Sequence, residues 1–212
     1  MSKTAVLVDL TLPAFANRLA DRTPTPGGGS TAAYLVELGS ALAAMACRFT
    51  SGEKFAAAEA AMATRVEEFE RLRAAARPLV DRDSAAYDAV TAAYKLPKGT
   101  DSEKAARTAA IQAALRVALE VPALTLGHAL TALRLAAAAA PDLNPNLASD
   151  AATGVWCLRS AAEAAFLNVR INAGSITDRA WAAGQLGACE RELAEVRTLA
   201  EGARAALESK LG

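Results

Sequence analysis

The chain has 212 residues, enough for one large domain, and its 53% hydrophobic content favours a folded core over disorder. Its 23 basic and 23 acidic residues give a net charge of +0. Because no basic excess is available to neutralise phosphates, we expect no nucleic-acid partner. His128 is the single histidine, which disfavours both a His/Cys zinc site and a histidine-based triad, so no metal is expected.

The cysteines and the apolar segments bear on the compartment. The three cysteines are far apart, odd in number and form no C-x-x-C motif, which is typical of reduced thiols and a cytoplasmic protein. The first 22 residues lack the apolar core of a secretory leader. The most apolar run, residues 35–47, contains Glu37 and is too short to cross a bilayer. We therefore expect no membrane partner.

The predicted elements are all helical, because alanine, leucine, glutamate and arginine dominate and alternating β-type patterns are nearly absent. Breaks and capping residues divide the chain into seven or eight helices. The first four helices are predicted over residues 12–21, which follow the capping Thr11, and over residues 30–50, 55–79 and 81–95. The next helix is capped by Thr100 and Glu103 and breaks or kinks at Pro122. The last two begin at residue 149 or 150, ending at 172, and at the capping Thr177 or Asp178. No linker interrupts them, so residues 1–212 are expected to form a single domain.

Apolar stripes follow several of these helices. Residues 35, 38, 42, 45 and 49 recur at alternating spacings of three and four, and residues 186–207 carry a heptad stripe. The chain is rich in alanine and only 5% aromatic, so each buried side chain removes little apolar area from water. Long helices with two apolar sides therefore suggest that the chain gains burial as a twofold-symmetric homodimer.

The segment TPTPGGGS, residues 23–30, places three glycines directly before a long helix. Glycine lets successive N–H groups converge, and the helix adds its positive end, so a carboxylate, carbonyl or phosphate can dock there. A flat ring can also lie against a backbone without side chains. A tight helix crossing explains the same glycines equally well. The segment has no lysine and is not a Walker loop.

Five segments occur in a characteristic order: TPTPGGGSTAA, DRDSAAYDAV, KLPKGTDSEKAARTAAIQAA, NPNLASDA and NVRIN. Together they resemble the formiminotransferase-cyclodeaminase C-terminal family, over residues 10–180. That family includes formiminotetrahydrofolate cyclodeaminases and stand-alone bacterial methenyltetrahydrofolate cyclohydrolases. The resemblance implies an all-helical dimer that binds a folate as its substrate and needs no cofactor.

A methenyl-folate carries a delocalised amidinium cation, and its hydrolysis requires a carboxylate near that cation and a base for water. We expect Asp83, which shares a helix face with Tyr87 and Val90, to be this carboxylate. Asp150 matches the NPN…SD segment of the family and is the second candidate. Lys98 matches its LPK element and is a candidate to pair with the glutamate tail or to move a proton. Helix capping by the aspartates and simple solvation of the lysine are the alternatives.

Further candidates for substrate binding lie near these motifs. They are Pro26, Gly27, Gly28, Gly29, Ser30, Asp81, Arg107, Gln112, Asn168 and Asn172. The two asparagines are four residues apart on one helix face, and their amides need a partner in the backbone or in a ligand.

Three functions are open at this point. The first is hydrolysis of 5,10-methenyltetrahydrofolate to 10-formyltetrahydrofolate, favoured because these 212 residues contain no transferase domain. The second is cyclodeamination of formimidoyltetrahydrofolate with release of ammonia. The third is a non-catalytic helical scaffold, which has no use for polar loops that converge on one cavity.

Overall fold

The computed structural model describes residues 6–211, so the first five residues of the segment examined for a leader lie outside it. Within this range the chain forms six α-helices and no strand. They are α1 (Leu12–Ala20), α2 (Gly28–Arg48), α3 (Ala56–Tyr94), α4 (Asp101–Ala139), α5 (Ala148–Ala173) and α6 (Arg179–Glu208). Short 3-10 helices cover Leu7–Asp9, Glu53–Phe55 and Pro145–Leu147. The all-α prediction is confirmed, whereas the expected seven or eight helices was too many.

The helix count was wrong because prolines lie inside two helices of 39 residues each, Pro78 in α3 and Pro122 in α4. A proline removes one backbone hydrogen bond and strains the preceding turn. Here the neighbouring residues are deeply buried: Leu79, Val80 and Val121 are each 1% exposed. Packing on both sides of each helix outweighs the local defect, so Asp81 and Asp83 lie within α3 instead of at a helix start.

The predicted helix starts at Thr11, Thr100 and Asp178 are confirmed. Thr11 accepts a hydrogen bond from the Ala14 N–H at 3.3 Å. Thr100 and Glu103 form the reciprocal pair, with Thr100 N–H to Glu103 Oε2 at 2.8 Å and Glu103 N–H to Thr100 Oγ1 at 3.2 Å. Asp178 accepts from the N–H of Trp181 at 3.1 Å. Each side chain satisfies an N–H that has no partner within the helix.

Helix α2 lies between α3 and α5 and crosses α5 at very short distance. A Cβ at Gly39 would lie 2.7 Å from Leu158 Cγ and 2.8 Å from the carbonyl oxygen of Gly154, so only glycine fits at this position. The two helices run antiparallel, because Gly28 at the start of α2 faces Asn168 late in α5. At the other end, the turn before α5 is tied to the end of α2, where Asn144 donates to the carbonyl of Phe49 at 3.0 Å.

The two predicted apolar stripes differ in how deeply they are buried. The α6 stripe is buried from Cys189 to Leu207. The α2 stripe points outward: Leu38 is 39% and Phe49 61% exposed, and residues 35, 42 and 45 are half-buried. Helix α2 instead buries mainly small residues such as Ala32 and Ala44, both 0% exposed. Close helix contacts therefore use the small side chains, and the larger apolar ones remain on the surface.

Two helices, α2 and α4, are long and apolar enough to cross a membrane by length and composition, with mean hydropathies of 1.3 and 1.4. This corrects the expectation that the chain has no such segment. Their most apolar windows are 61% and 44% buried within the fold. Packing against neighbouring helices therefore accounts for much of their apolar character.

Candidate active site

A cavity of about 400 Å³ opens where the start of α2 meets α3, α4 and α5. The glycines at the start of α2 form one wall, and α3, α4 and α5 supply the rest. Its principal lining residues are Gly27, Gly28, Gly29, Asp83, Tyr87, Val90, Tyr94, Ala118, Asn168 and Asn172. The glycine triplet and one of the predicted carboxylates thus share a single hollow.

Asp83 lies directly on the backbone of the first turn of α2. A Cβ built on Gly29 would lie 2.0 Å from Asp83 Oδ1 and 2.5 Å from its Cγ, distances that no real side chain tolerates. Position 29 must therefore be glycine for the carboxyl group to reach its place. The backbone approach expected of the glycines is made by a side chain of the same protein.

Ser30 forms a hydrogen bond to this carboxyl group. Its hydroxyl donates to Asp83 Oδ2 at 3.1 Å and lies 3.1 Å from the hydroxyl of Ser84. Gly27, the N-cap of α2, offers no capping side chain, so Asp83 provides a negative group for the positive end of the helix. Burial raises the pKa of Asp83, while hydrogen bonds from the hydroxyl and backbone of Ser30 lower it in part.

The two asparagines line the cavity and are bonded to helix backbone through their amide nitrogens. Asn168 donates its amide nitrogen to the carbonyl of Ala164 at 2.9 Å, and Asn172 donates to the carbonyl of Ala118 at 2.6 Å. Since only the nitrogen of an amide can donate to a carbonyl, these bonds leave each Oδ1 available as an acceptor. The carbonyl of Ala118 is free for this contact because Pro122, four residues later, has no N–H.

The lining favours a cation or an N–H-bearing ligand over an anion. Of the described residues that line the cavity, Asp83 is the one carboxylate, and none is lysine, arginine or histidine. The amide oxygens of Asn168 and Asn172 add two further acceptors. The anion position at the start of α2 is filled by Asp83 itself. Docking of a ligand carboxylate or phosphate on the glycines, one of the options drawn from sequence, is therefore disfavoured.

An aromatic wall follows Asp83 along α3. Tyr87, Val90 and Tyr94 line the cavity at spacings of four, three and four from Asp83, and the two tyrosines are 48% and 50% exposed. The sequence placed Tyr87 and Val90 on the face of Asp83, and extending that stripe by four residues would have identified Tyr94. Ile171 and Ser175 also line the cavity and carried no signal in the sequence, and Thr25 joins them from the glycine-rich segment.

Asp81 and Pro26 line a neighbouring cavity of about 260 Å³ instead. Asp81 accepts a hydrogen bond from the N–H of Leu7 at 2.6 Å and so ties the N-terminal segment to α3. Residues two apart on a helix point in different directions, which explains why Asp81 and Asp83 serve different cavities. Asp81 therefore has a structural contact with the N-terminal segment, and its contact with substrate stays a prediction.

Arg107 and Gln112 do not line the cavity, but each forms hydrogen bonds to a residue that does. Arg107 donates to the carbonyl of Tyr94 at 3.1 and 3.2 Å, with its guanidinium 5.5 Å from the Tyr94 ring centre. Gln112 donates to the carbonyl of Ser175 at 3.3 Å and accepts from the N–H of Thr177 at 2.8 Å. Both residues position the rim of the cavity.

Lys98 is exposed in the loop between α3 and α4 and does not line the cavity. The sequence placed it next to the substrate because the LPK segment matches the family, but the described contacts of the cavity do not include it. Nothing in the structure assigns Lys98 a partner for proton transfer.

Asp150 lies far from this cavity within the chain. It is in the first turn of α5, 18 positions before Asn168, which corresponds to about 27 Å along the helix. The NPN turn lies at the same remote end, where Asn144 contacts the end of α2. The expectation that the glycine and NPN loops converge on one cavity is therefore not met within a single chain.

His128 lies in a separate groove of about 600 Å³ between α4 and α6. It is half-buried, and burial lowers its pKa. Across residues 6–211, no group of three or more His, Cys, Asp or Glu side chains could hold a metal ion.

Comparison with known proteins agrees on one family. The formiminotransferase-cyclodeaminase family matches residues 11–191. A methenyltetrahydrofolate cyclohydrolase from Methylorubrum extorquens is 39% identical, over 95% of this chain and 97% of that protein. The formimidoyltransferase-cyclodeaminase of Rattus norvegicus is 36% identical over 81% of this chain, but only 32% of the rat protein is covered. The crystal structure of a formiminotetrahydrofolate cyclodeaminase from Thermotoga maritima superposes with a TM-score of 0.85 at 28% identity, covering 95% of this chain and 97% of that one.

Proposed function

Because the chain belongs to the formiminotransferase-cyclodeaminase family, we propose that it hydrolyses 5,10-methenyltetrahydrofolate to 10-formyltetrahydrofolate. The observation that carries this proposal is the half-buried carboxyl group of Asp83, held over Gly29 in a cavity without basic side chains. The M. extorquens relative, which matches nearly end to end, is a methenyltetrahydrofolate cyclohydrolase. The enzyme works as a cytoplasmic homodimer without a cofactor.

The substrate binds by its charge and its hydrogen-bond donors. The methenyl bridge carries a delocalised positive charge, which the Asp83 carboxylate stabilises at short range. The N–H groups of the pterin ring are donors and pair with the free Oδ1 atoms of Asn168 and Asn172. Tyr87 and Tyr94 offer aromatic surface to the rings. The glutamate tail extends towards solvent, since the cavity lining has no cation to bind it.

Asp83 acts first as a base and then as an acid. It accepts a proton from a water molecule as the water oxygen bonds to the methenyl carbon, giving a neutral hydroxyl adduct. The bond from this carbon to N5 then breaks, its electron pair remains on N5, and Asp83 returns the proton there. The hydroxyl proton leaves to solvent and the formyl group stays on N10, so one water is consumed and one proton is released. A raised pKa suits this double role, because it brings the carboxyl group closer to the operating pH.

The test follows the disappearance of methenyl-folate absorbance with and without the purified protein. Decay faster than in buffer is expected, and Asp83→Asn should reduce kcat/KM by about 100-fold while the fold is retained. Asp142→Asn is the matched control, because Asp142 is exposed in the turn after α4. Wild-type decay equal to that in buffer would remove the cyclohydrolase proposal. Near-normal turnover of Asp83→Asn would leave that residue with a capping role only.

Cyclodeamination of formimidoyltetrahydrofolate is the second candidate, since the T. maritima structure with the same fold is a cyclodeaminase. Expulsion of ammonia from the formimino group produces the same methenyl cation, so one cavity serves either reaction. Incubation with the formimino-folate and measurement of ammonia separates the two. Ammonia release without accelerated hydrolysis would assign the protein to the second reaction.

A further inference from the structure

The neighbouring cavity of about 260 Å³ meets the candidate active site at the glycine-rich segment. Thr25 lines both cavities, whereas Pro26 lines the neighbouring one and Gly27 lines the candidate active site. This neighbouring space has room for several water molecules, since one occupies about 30 Å³ in the liquid. Ala85 and Asp88 are exposed, so its water exchanges with bulk solvent. We name it the side cavity; its polar lining residues are Arg18, Thr25, Asp81, Ser84 and Asp88.

Consecutive residues of α3 face the two cavities. Asp83 lines the candidate active site and Ser84 lines the side cavity, because neighbours on a helix are rotated by about 100°. Ser30, in the first turn of α2, is 0% exposed and belongs to neither lining. Its hydroxyl oxygen lies 3.1 Å from Asp83 Oδ2 and 3.1 Å from Ser84 Oγ. The three side chains therefore form a continuous line of hydrogen bonds from one cavity to the other, with its middle member enclosed by protein.

The single proton of each hydroxyl fixes the directions of these hydrogen bonds. Ser30 donates to the carboxylate of Asp83, and a hydroxyl has one proton and two acceptor lone pairs. Ser84 is therefore the donor in its bond to Ser30, and its own oxygen is left to accept from water in the side cavity. When Asp83 holds a proton on Oδ2, rotation of the two hydroxyl groups reverses every direction without moving a heavy atom. The line is thus able to carry a proton outward.

The proposed reaction requires Asp83 to lose a proton while a folate occupies the site. The attacking water brings two protons. Asp83 passes the first to N5 and takes up the second from the hydroxyl adduct as the formyl C=O forms. The bound folate then covers the side of Asp83 that faces the cavity, and a protonated Asp83 has no charge with which to stabilise the next methenyl cation. A second route for the proton resets the site before the next turnover.

We propose that Ser30 and Ser84 relay this proton from Asp83 to the side cavity. The inference rests on the proposed function. Asp83 donates its proton from Oδ2 to Ser30 Oγ, Ser30 donates its own to Ser84 Oγ, and Ser84 donates to water in the side cavity. One proton enters the line at Asp83 and one leaves at Ser84, so each hydroxyl ends with one proton. Neither serine touches the substrate, and both act through Asp83.

The charges around the side cavity favour the outward direction. Among the described residues, its lining has two carboxylates, Asp81 and Asp88, and one guanidinium, that of Arg18. The enclosed Oδ2 atom of Asp81 has no hydrogen-bond partner in the part of the chain that the structure describes, so it is left to accept from water. Asp88 follows Ser84 by four positions, lies on the same helix face and is exposed. A proton released beside Ser84 therefore meets acceptors that lead to bulk solvent.

A matched pair of variants separates a relay from a purely positioning role, since the same hydrogen bonds also hold Asp83 in place. Ser84→Val and Ser84→Thr give side chains of nearly the same shape, but only threonine has a hydroxyl. The valine also fills the space that a water molecule could occupy in Ser84→Ala. A single turnover with protein in excess is followed in weak buffer. Methenyl-folate absorbance reports the reaction, and a pH-indicator dye reports the released proton.

In wild type and Ser84→Thr, the proton should appear together with the loss of absorbance. In Ser84→Val, the proton should lag behind the loss of absorbance by about 10-fold, and kcat should fall by a similar factor. This is less than the effect of removing an acid–base group itself, because Asp83 remains. Ser30→Ala interrupts the line at its buried middle and should show the same lag, so the test does not depend on one variant. Ser102→Ala, at an exposed serine of α4, is the control and should match wild type.

Coincident signals in Ser84→Val would overturn the relay. Equal slowing of both signals in that variant would also overturn it and would leave Ser84 with a role in positioning Asp83. A lag in Ser84→Thr as large as in Ser84→Val would show that the hydroxyl is not what matters. Wild type that decays methenyl-folate no faster than buffer does would remove the proposed function, and the relay with it. An active wild type with coincident signals in every variant would remove the relay alone.

Discussion

Replacing Gly29 by alanine tests whether the glycine exists to admit the carboxyl group of Asp83. The new Cβ would lie 2.0 Å from Oδ1, 2.5 Å from Cγ and 2.7 Å from Oδ2. Asp83 must therefore move by about 1 Å or more, and it loses the hydroxyl of Ser30, which is 0% exposed. Alanine favours a helix over glycine by about 1 kcal/mol. Overpacking costs about 1–3 kcal/mol, and loss of the hydrogen bond between Ser30 and Asp83 costs about 1 kcal/mol more.

We expect Gly29→Ala to lower the free energy of unfolding by about 1–3 kcal/mol and kcat/KM by about 100-fold, as for a misplaced catalytic group. Urea unfolding and the decay of methenyl-folate absorbance measure the two effects. Gly202→Ala is the control, since no atom lies within 4 Å of a Cβ built there, and it should gain up to about 1 kcal/mol with unchanged activity. Full activity of Gly29→Ala would refute the proposed fit between Gly29 and Asp83.

Three further predictions concern ionisable groups. Ser30→Ala removes a hydrogen bond that lowers the pKa of Asp83, so the acid limb of the kcat/KM profile should move to higher pH; an unmoved limb would separate Ser30 from the base. The raised pKa of Asp83 means that its contribution to stability is full below the unfolded pKa and is lost as pH rises through the folded pKa. Asp83→Asn should therefore gain in Tm over wild type as pH rises above the unfolded pKa of about 4, and a constant difference in Tm would contradict the raised pKa. The side chain of Glu37 is 10% exposed and that of Arg77 is 53% exposed. Arg77→Ala leaves the buried Glu37 carboxylate with only Arg73, whose nitrogen is 3.8 Å away, and should lower the free energy of unfolding in urea by about 2 kcal/mol. Glu37→Gln should lower it less, and equal losses for the two variants would contradict this reasoning.

Local signals in the sequence predicted the helix starts and the class of fold. Thr11, Thr100 and Asp178 cap helices through contacts within four residues, which spacing alone reveals. The prolines led to a wrong helix count because the free-energy cost of Pro78 and Pro122 is local, whereas the burial that offsets this cost comes from helices distant in the chain. A single sequence does not show which long-range contacts will compensate such a defect.

The lining of the cavity was predicted where its residues share a helix face and was not predicted where it depends on packing between helices. Asp83, Tyr87 and Val90 follow one stripe of α3 and line one cavity. Asp81 and Asp150 matched family motifs equally well. In the structure, however, Asp81 lines a different cavity, and Asp150 lies in the first turn of α5, near the C-terminal end of α2. The α2 stripe had the periodicity of a core face. Periodicity identifies an apolar face but does not say which neighbour covers it.

The proline in α4 links two positions that are far apart in the sequence. Pro122 leaves the carbonyl of Ala118 without a helical partner, and Asn172 supplies the missing donor at 2.6 Å. Any other residue at 122 would restore the helical N–H and compete for that oxygen, and Asn172 would then be free to rotate. Across related chains, positions 122 and 172 should therefore covary, with proline retained wherever the asparagine is retained. Where a related sequence has both the proline and the asparagine, the same backbone contact at the cavity can then be inferred without a structure.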